Sequence, residues 1–473
     1  SKTAKIIPAG RFSRCISLKD ITIPEGITTI EYNAFYNISP EANLFIPDSV
    51  ATIGDATRLP QCKVTMPCRF ALENGLHRRE GYSFYHMNGE NDHDEDNCTV
   101  CRRTGKCGTD ASYILTLGGK MTVSGTGTVS DIEYEMKQEL KSVIIEEGIY
   151  YVNDLSHSLN LESIKLADSV KILQSLHECF ELTTIIAGKN LEEDIITVNC
   201  PKMENVVIPS ENPNYINKDG VIFSKDGTQL VYYPSNLPGE EYIIPDTVKE
   251  ISNFALDYNQ NLKILVVPES VAALDWDGGS GYFILGHSKK LEKIILNNAV
   301  INIPLDFCYE VETLNEITIP EGTEAIGQEA FLLCKNLKTI TLPTSLKKIH
   351  QGAFNGCSGL AIVHYLGTEN QWKEISIDEQ NEFLTNANIH YCTLIQDNTT
   401  TCDYTGNRVY SCETCGTTFT ANVPKTEHKY SEWKVTRKAT CSQEGELTSI
   451  CSKCGDTKHR SIEKTYHNFE WVG

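Results

Sequence analysis

Apolar residues in this chain recur on two scales at once. In "LNEITIPEGTEAIGQEAFLLCKN" (314–336) and "LKTITLPTSLKKIHQGAFNGCSG" (337–359) they fill the same slots, and Leu314, Leu337 and Leu360 stand 23 apart. The shared pattern is LxxIxIPxxxxxIxxxAFxxCxx. Near the N-terminus, Phe12, Cys15, Leu18, Ile21, Ile23, Pro24, Ile30, Ala34 and Phe35 occupy those slots, and further units open at Leu140, Leu161, Leu182, Met203, Leu262 and Leu291. Alternation in IxI predicts a short strand with one buried face, and the Pro that usually follows has no N–H to donate, so pairing stops there. "EG", "DS" and "TS" supply a turn. The second apolar pair (Ile27 and Ile30, or Leu346 and Ile349) then crosses the opposite wall, and AFxxC is predicted to close the coil as a short helical or 3-10 stretch. No unit can bury its apolar face alone, so units must stack, each strand pairing in parallel with the next, into a curved solenoid.

A 20–29 residue period with this leucine spacing is the signature of a leucine-rich repeat. The fold class is therefore an α/β-type leucine-rich-repeat solenoid, predominantly β with short helical or 3-10 segments. Cys15, Cys179, Cys200, Cys334 and Cys357 all lie three residues before a unit-opening Leu or Met, which predicts one interior file of thiols. Cysteine there acts as a small apolar residue. Successive thiols would sit about 4.8 Å apart with parallel Cβ vectors, a poor geometry for disulfides. The residue between the two strand isoleucines points outward. That file runs Thr22, Ile144, Lys165, Ile186, Val207, Val266, Ile295, Thr318, Thr341 and His364, and it is apolar in the middle of the array. An exposed apolar stripe on a concave sheet marks a contact site, and Ile144 through Thr341 are the candidate ligand-binding residues. The competing explanations are plain β propensity, or cover by the insertion around Tyr232 and Tyr233.

The unit resembles the BspA-type leucine-rich repeats of bacterial surface proteins, over most of residues 10–60 and 140–392. "NPNYINKDGVIFSKDGTQLVYYP" resembles that family's hairpin insertion, "YLGTENQWKEISIDEQNEFLTNANIHYC" the segment that closes such arrays, and "CGTDASYILTLGGKMTVSGTGTVSD" the small β element that opens them. The resemblance implies a secreted or cell-surface protein of a host-associated bacterium, adhesin-like, with a host or community protein or glycan as partner.

The predicted organisation is a short first array (1–92), an acidic, cysteine-bearing linker (93–110), a β opening element (111–139), the main array (140–392) with its hairpin insertion at 211–240, and a tail (393–473). The tail carries ten Lys/Arg and ten Asp/Glu, so the formal net charge of −21 lies wholly in the first 392 residues. That charge, with no basic stripe, argues against nucleic acid. No apolar run approaches the roughly 20 residues that span a bilayer, so membrane insertion is not expected. Beginning at Ser1 without Met, the chain reads as a mature or trimmed product. Its oligomeric state is left open.

The tail is itself repeated with a 39-residue offset. Each copy reads Cx9CxxCGx11H: Cys402, Cys412, Cys415 and His428, then Cys441, Cys451, Cys454 and His467. Three thiols and one imidazole make a tetrahedral set for structural zinc, and a segment with few aliphatics needs such staples. His390 and His428, which precede Cys402 and Cys441 at similar distances, compete for the histidine role. One disulfide per copy is the rival reading, at the cost of an odd thiol. "CTVC" (98–101) with Cys107 and His86 or His93 is a further candidate set. GxSxG, HExxH, phosphate-loop and dinucleotide fingerprints do not occur, and the carboxylates scatter over repeat turns, so no catalytic residue or catalytic cofactor is expected. "LPTS" at 342–345 sits inside a repeat strand and is not a sorting signal. The function class is a non-enzymatic binding protein, with a passive spacer presenting another domain as the alternative.

Overall fold

The computed structural model describes residues 4–54, 62–73, 76, 82–85, 102–130, 132–153, 155–174, 176–195, 197–271, 285–297, 300–398, 406–423 and 428–465. The chain divides into two compact units, Ser1–Glu193 with Val207–Pro213, and Asp194–Val206 with Asn214–Gly473. Each is a β-solenoid of short parallel strands.

In the first unit, Asp20–Thr22, Asn43–Phe45, Lys63–Pro67 and Tyr82–Tyr85 pair in sequence order on one wall, and Ile6–Ile7, Thr29–Ile30 and Thr52–Ile53 on another. The opening element is antiparallel: Arg103–Lys106 pairs with Ala111–Leu115, which pairs with Lys120–Gly125. The ladder then turns parallel, with Val123 opposite Ile145, and Val143, Ile164 and Ile185 in register at 21-residue steps. In the second unit the hairpin insertion forms Tyr215–Lys218, Val221–Ser224 and Gln229–Tyr232, and its last strand joins the array through Leu230 opposite Ile251. Further on, steps of 23 recur: Ile317, Ile340 and Val363 are consecutive partners on one wall, as are Ile303, Ile326 and Ile349 on the other. The repeat length read from the sequence is thus the register of the sheet, since only an in-register stack puts every IxI face on the core side.

The unit-opening leucines Leu314, Leu337 and Leu360 are buried, and the AF slots stack, with the Phe331 and Phe354 rings 5.3 Å apart and nearly parallel. The thiol slot is interior as predicted for Cys179, Cys200, Cys334 and Cys357, while Cys15 is only half-buried. Between these cysteines the slot holds Ser158, Asn259, Ser288 and Val311, all buried. Small size is the requirement. The Sγ–H of Cys334 donates to the Cys308 carbonyl and that of Cys357 to the Phe331 carbonyl of the preceding coil, each at 3.1 Å, whereas Ser158 Oγ donates within its own coil to the Leu155 carbonyl at 2.8 Å. Cys334, Cys357, Cys392, Cys412, Cys415 and Cys441 are free thiols.

AFxxC differs from expectation. It is a succession of turns, not a helix. Glu329 and Leu333 lie at φ +55° and +60°, and the equivalent slots hold Asn33 and Asn37, Phe254 and Tyr258, Asp306 and Glu310, and Gly352 and Gly356, all with positive φ. Left-handed residues four apart prevent an i to i−4 ladder. The freed amides instead bond to the next coil: Phe331 N–H to Ala353 O and Leu333 N–H to Asn355 O, both 2.8 Å. Short helices do occur elsewhere, at Cys68–Glu73, Tyr134–Lys137, Glu369–Lys373 and Glu382–Thr385. The third belongs to the closing segment and carries a capping box between Thr368 and Gln371. Its Trp372 is buried in the core of the last coils. Among the described residues no helix is long and apolar enough to cross a membrane.

Sheet pairing does not stop at the end of the array. Asn388–Asn398 is an eleven-residue strand whose first half pairs in parallel with Ile362–Tyr365 and whose second half pairs antiparallel with Gly406–Cys412, followed by Thr418–Val423. It runs through the position at which the sequence reading separates array from tail. The second tail copy is a three-stranded antiparallel sheet, Lys434–Arg437, Gly445–Ile450 and Thr457–Ile462.

Candidate functional site

Two features carry candidate chemistry. The first is the outward file. Its predicted members are in register: Ile144, Lys165 and Ile186 in the first unit, Val266 with Ile295 and Thr318 with Thr341 in the second. Ala187 N–H bonds Val207 O, which brings Val207 alongside Ile186. Ile186, Val207 and Ile295 are 38%, 40% and 42% exposed. Val266 and Ile144 are half-buried, and Lys165 and Thr318 exposed. Ile243, which is opposite Val266 and 63% exposed, belongs to the same file. It escapes the sequence pattern because Gly239 stands in the unit-opening leucine slot.

Thr341 requires correction as a ligand-binding residue. It is 4% exposed and His364 6%, because the first tail hairpin lies over this end of the file. Phe419 packs on the His364 ring at 4.7 Å, and Tyr410, Cys412 and Ala421 form a small core with Leu366 and Cys392. Arg408 reaches the buried carboxylate of Glu321 at 3.7 Å, and Glu321 also accepts from Thr344 Oγ1 at 2.6 Å. Next to this cover lies a cleft of about 350 Å³, floored by Ile295, Leu296 and Thr318 and walled by Phe419–Asn422.

The second feature is a pair of thiol–imidazole clusters. His364, His390, Cys412 and Cys415 offer one ligand atom each, all within 4.8 Å of one another, and so do His428, Cys451 and Cys454. Each CxxCG is a tight knuckle: Gly416 N–H bonds Cys412 O and Gly455 N–H bonds Cys451 O, both 2.9 Å, with the glycines at φ +72° and +82°. Amides also point at the sulfurs, Cys415 N–H at Cys412 Sγ and Lys453 N–H at Cys451 Sγ, both 3.4 Å. Hydrogen bonding with Thr417, and then with Cys412 and His390, holds the Cys415 thiol down at about 6. Burial and the adjacent His390 push His364 below the ordinary imidazole value, which favours its neutral form. The Nδ1 atoms of His364 and His390 are both buried without a hydrogen-bond partner.

The predicted ligand sets are therefore redrawn. Cys412 and Cys415 come together with His390 and His364, not with His428. His428 instead sits beside Cys454, with Nδ1 3.3 Å from Sγ. Each CxxC pair meets the histidine upstream of it because the segment bearing that histidine pairs with the chain at the knuckle: Cys392 is opposite Cys412 in a strand pair, and Tyr430 is opposite Cys451 in an isolated bridge. Cys441 is exposed and lies outside its predicted set, since the six-residue strand Gly445–Ile450, about 20 Å long, runs between it and Cys451. Cys402 and His467 lie outside the described residues, as do Cys98, Cys101, His86 and His93 of the further candidate set.

Residues 1–92, 126–226, 230–361 and 279–405 match the BspA type Leucine rich repeat region, in six copies. Comparison with curated proteins gives no match. Among solved structures the chain is similar to a leucine rich cell surface protein from Faecalibacterium prausnitzii, with 22% identity, 78% of this chain and 85% of that one covered, and a TM-score of 0.44. It is similar to the Pneumococcal vaccine antigen PcpA at 18% identity, with 78% and 77% covered and a TM-score of 0.41. A leucine-rich repeat protein from Eubacterium ventriosum gives 20%, 59% and 94%, and 0.39. Since the repeat match spans well over half of the sequence, the chain belongs to the BspA-type leucine-rich-repeat family.

Proposed function

We propose that this chain is a non-enzymatic binding protein, extracellular or attached to the cell surface, that engages a protein or glycan ligand on the outward file of its parallel strands. The observation that carries the reading is the exposure of Ile186, Val207, Ile243 and Ile295 at positions where register gives the chain a free choice of polar residues. Leaving such apolar side chains in water forgoes about 1 kcal/mol each, which a partner that covers them recovers. Family membership supports the reading.

The test is binding of the whole chain to a panel of host matrix proteins and glycans, with two double variants. Ile186→Lys with Val207→Lys alters the first unit's part of the file, and Ile243→Lys with Ile295→Lys the second's. Saturable wild-type binding that falls at least tenfold in one double variant, with circular dichroism unchanged, is the expected result. Binding unaffected by both variants rules out this face. A wild-type chain that binds nothing across the panel favours a spacer that presents another domain.

A further inference from the structure

The first thiol–imidazole cluster does not belong to the tail alone. His364 and His390 are consecutive members of the outward file, held opposite each other by the parallel pairing of Ile362–Tyr365 with Asn388–Asn398. Cys412 and Cys415 arrive from the tail hairpin folded over them. We infer that these four residues form a tetrahedral zinc site in which the array supplies two imidazoles and the tail two thiolates, so that one metal ion clamps the first tail hairpin onto the end of the array.

Three observations support it independently. The donor set fits: two soft thiolates and two imidazoles are the Cys2His2 composition of closed structural zinc sites. The geometry fits as well. Metal–ligand bonds of roughly 2.0–2.3 Å give a tetrahedron with edges of about 3.3–3.8 Å, and the four ligand atoms already lie within 4.8 Å of one another. Finally, without an ion the site is unsatisfied. The Nδ1 atoms of His364 and His390 are buried and have no partner, and Phe419 packs on the His364 ring. The Cys415 N–H aimed at Cys412 Sγ bonds more strongly to a thiolate than to a thiol, so it favours the charged form that a metal ion takes. Binding would hold both sulfurs as thiolates and leave a closed site with no position for substrate water, so its role is structural.

Two oxidised alternatives use the same atoms, a Cys392–Cys412 cross-strand disulfide and a Cys412–Cys415 disulfide. The experiment separates them. The full chain, purified without chelator, is assayed for bound metal and its cysteine state mapped by mass spectrometry. Reduced, metal-free chain is then titrated with Co2+. At least one zinc per chain is expected, and it should fall by one equivalent in Cys412→Ser/Cys415→Ser while Cys451→Ser/Cys454→Ser leaves that equivalent in place. The Co2+ spectrum of the Cys451→Ser/Cys454→Ser chain should be that of a tetrahedral site with two sulfurs. His364→Gln should weaken Co2+ binding more than about 100-fold, since even residues behind the ligands change affinity 10–100-fold. Because variants can fail for reasons of folding, the wild type gives a second readout. Chelation should speed amide exchange in Thr418–Val423 and leave Thr339–Leu342 slow. A metal-free chain with Cys412 in a disulfide, or metal content and Co2+ spectrum indifferent to the Cys412→Ser/Cys415→Ser change, overturns the assignment.

Discussion

The thiols of Cys334 and Cys357 each donate to a backbone carbonyl of the coil before. Burial pushes Cys357 up to about 12 and Cys334 well above its ordinary value, so neither forms appreciable thiolate at neutral pH. An alkylating reagent applied to the native chain should therefore leave Cys334 and Cys357 unmodified while labelling the exposed Cys441; equal labelling would contradict the buried file. Cys334→Ala should cost on the order of 1–2 kcal/mol by chemical denaturation, from lost packing and one lost hydrogen bond. Asp257 sits two residues before the equivalent slot, which Asn259 fills. It is buried, with Oδ1 3.4 Å from His287 Nδ1 and Oδ2 without a partner. Burial raises it from 3.8 to about 6, against the smaller lowering effect of His287. Its folded value lies above its unfolded one, so the fold holds the proton more tightly. That stabilisation is complete below about 3.8 and is lost as pH rises through about 6, a change on the order of 2–3 kcal/mol. Asp257→Asn should flatten the dependence of stability on pH in this window; an unaltered slope would place the titration elsewhere.

At the scale of the element, the coil corner is governed by two left-handed slots four residues apart. Gly352 and Gly356 fill both in one coil, and Glu329 and Leu333 fill them in the preceding coil at some cost in strain. Glu329→Gly should raise stability by about 0.5–1 kcal/mol, the left-handed penalty outweighing the added freedom of the unfolded chain. Gly352→Val, with a β-branched side chain at φ +64°, should lower it by more than about 1 kcal/mol. Thermal melts of the two variants, shifted in opposite directions, are the check. The strands, their faces and their register were readable because a period-2 pattern inside a period-23 repeat has one stacking solution. The corner was misread as helical because Glu and Leu do not announce a positive φ. The signal was there in Gly352 and Gly356, at equivalent positions in the next copy. Ile243 was missed for a similar reason, Gly239 having replaced the leucine that marks a coil.

Across the whole molecule, the sequence identifies the thiols of the tail knuckles but not their partners. Repetition within the tail points to ligands at a fixed offset, Cys402 and His428 or Cys441 and His467. The fold instead selects partners by strand pairing, which brings His390 and His428 to the knuckles. His364 comes from a coil that carries no cysteine–histidine motif at all. Its value as a ligand depends on the eleven-residue strand that continues the array's sheet into the tail, and no local pattern marks that continuity. The same cover explains why Thr341 is lost from the open face while Ile295, two coils earlier, is not.

The account rests on coils stacked in register, and removing a coil tests this most directly. Deletion of 314–336 takes out one whole period and rejoins Thr313 to Leu337, so every later residue keeps its slot. Deletion of 314–325 takes out about half a period and throws every later slot out of step. The first chain should retain native circular dichroism and a cooperative melt at reduced temperature, and the second should lose both. If the half-period deletion folds as well as the whole-period one, the stacked register is wrong, and with it the outward file and the clamp at its end.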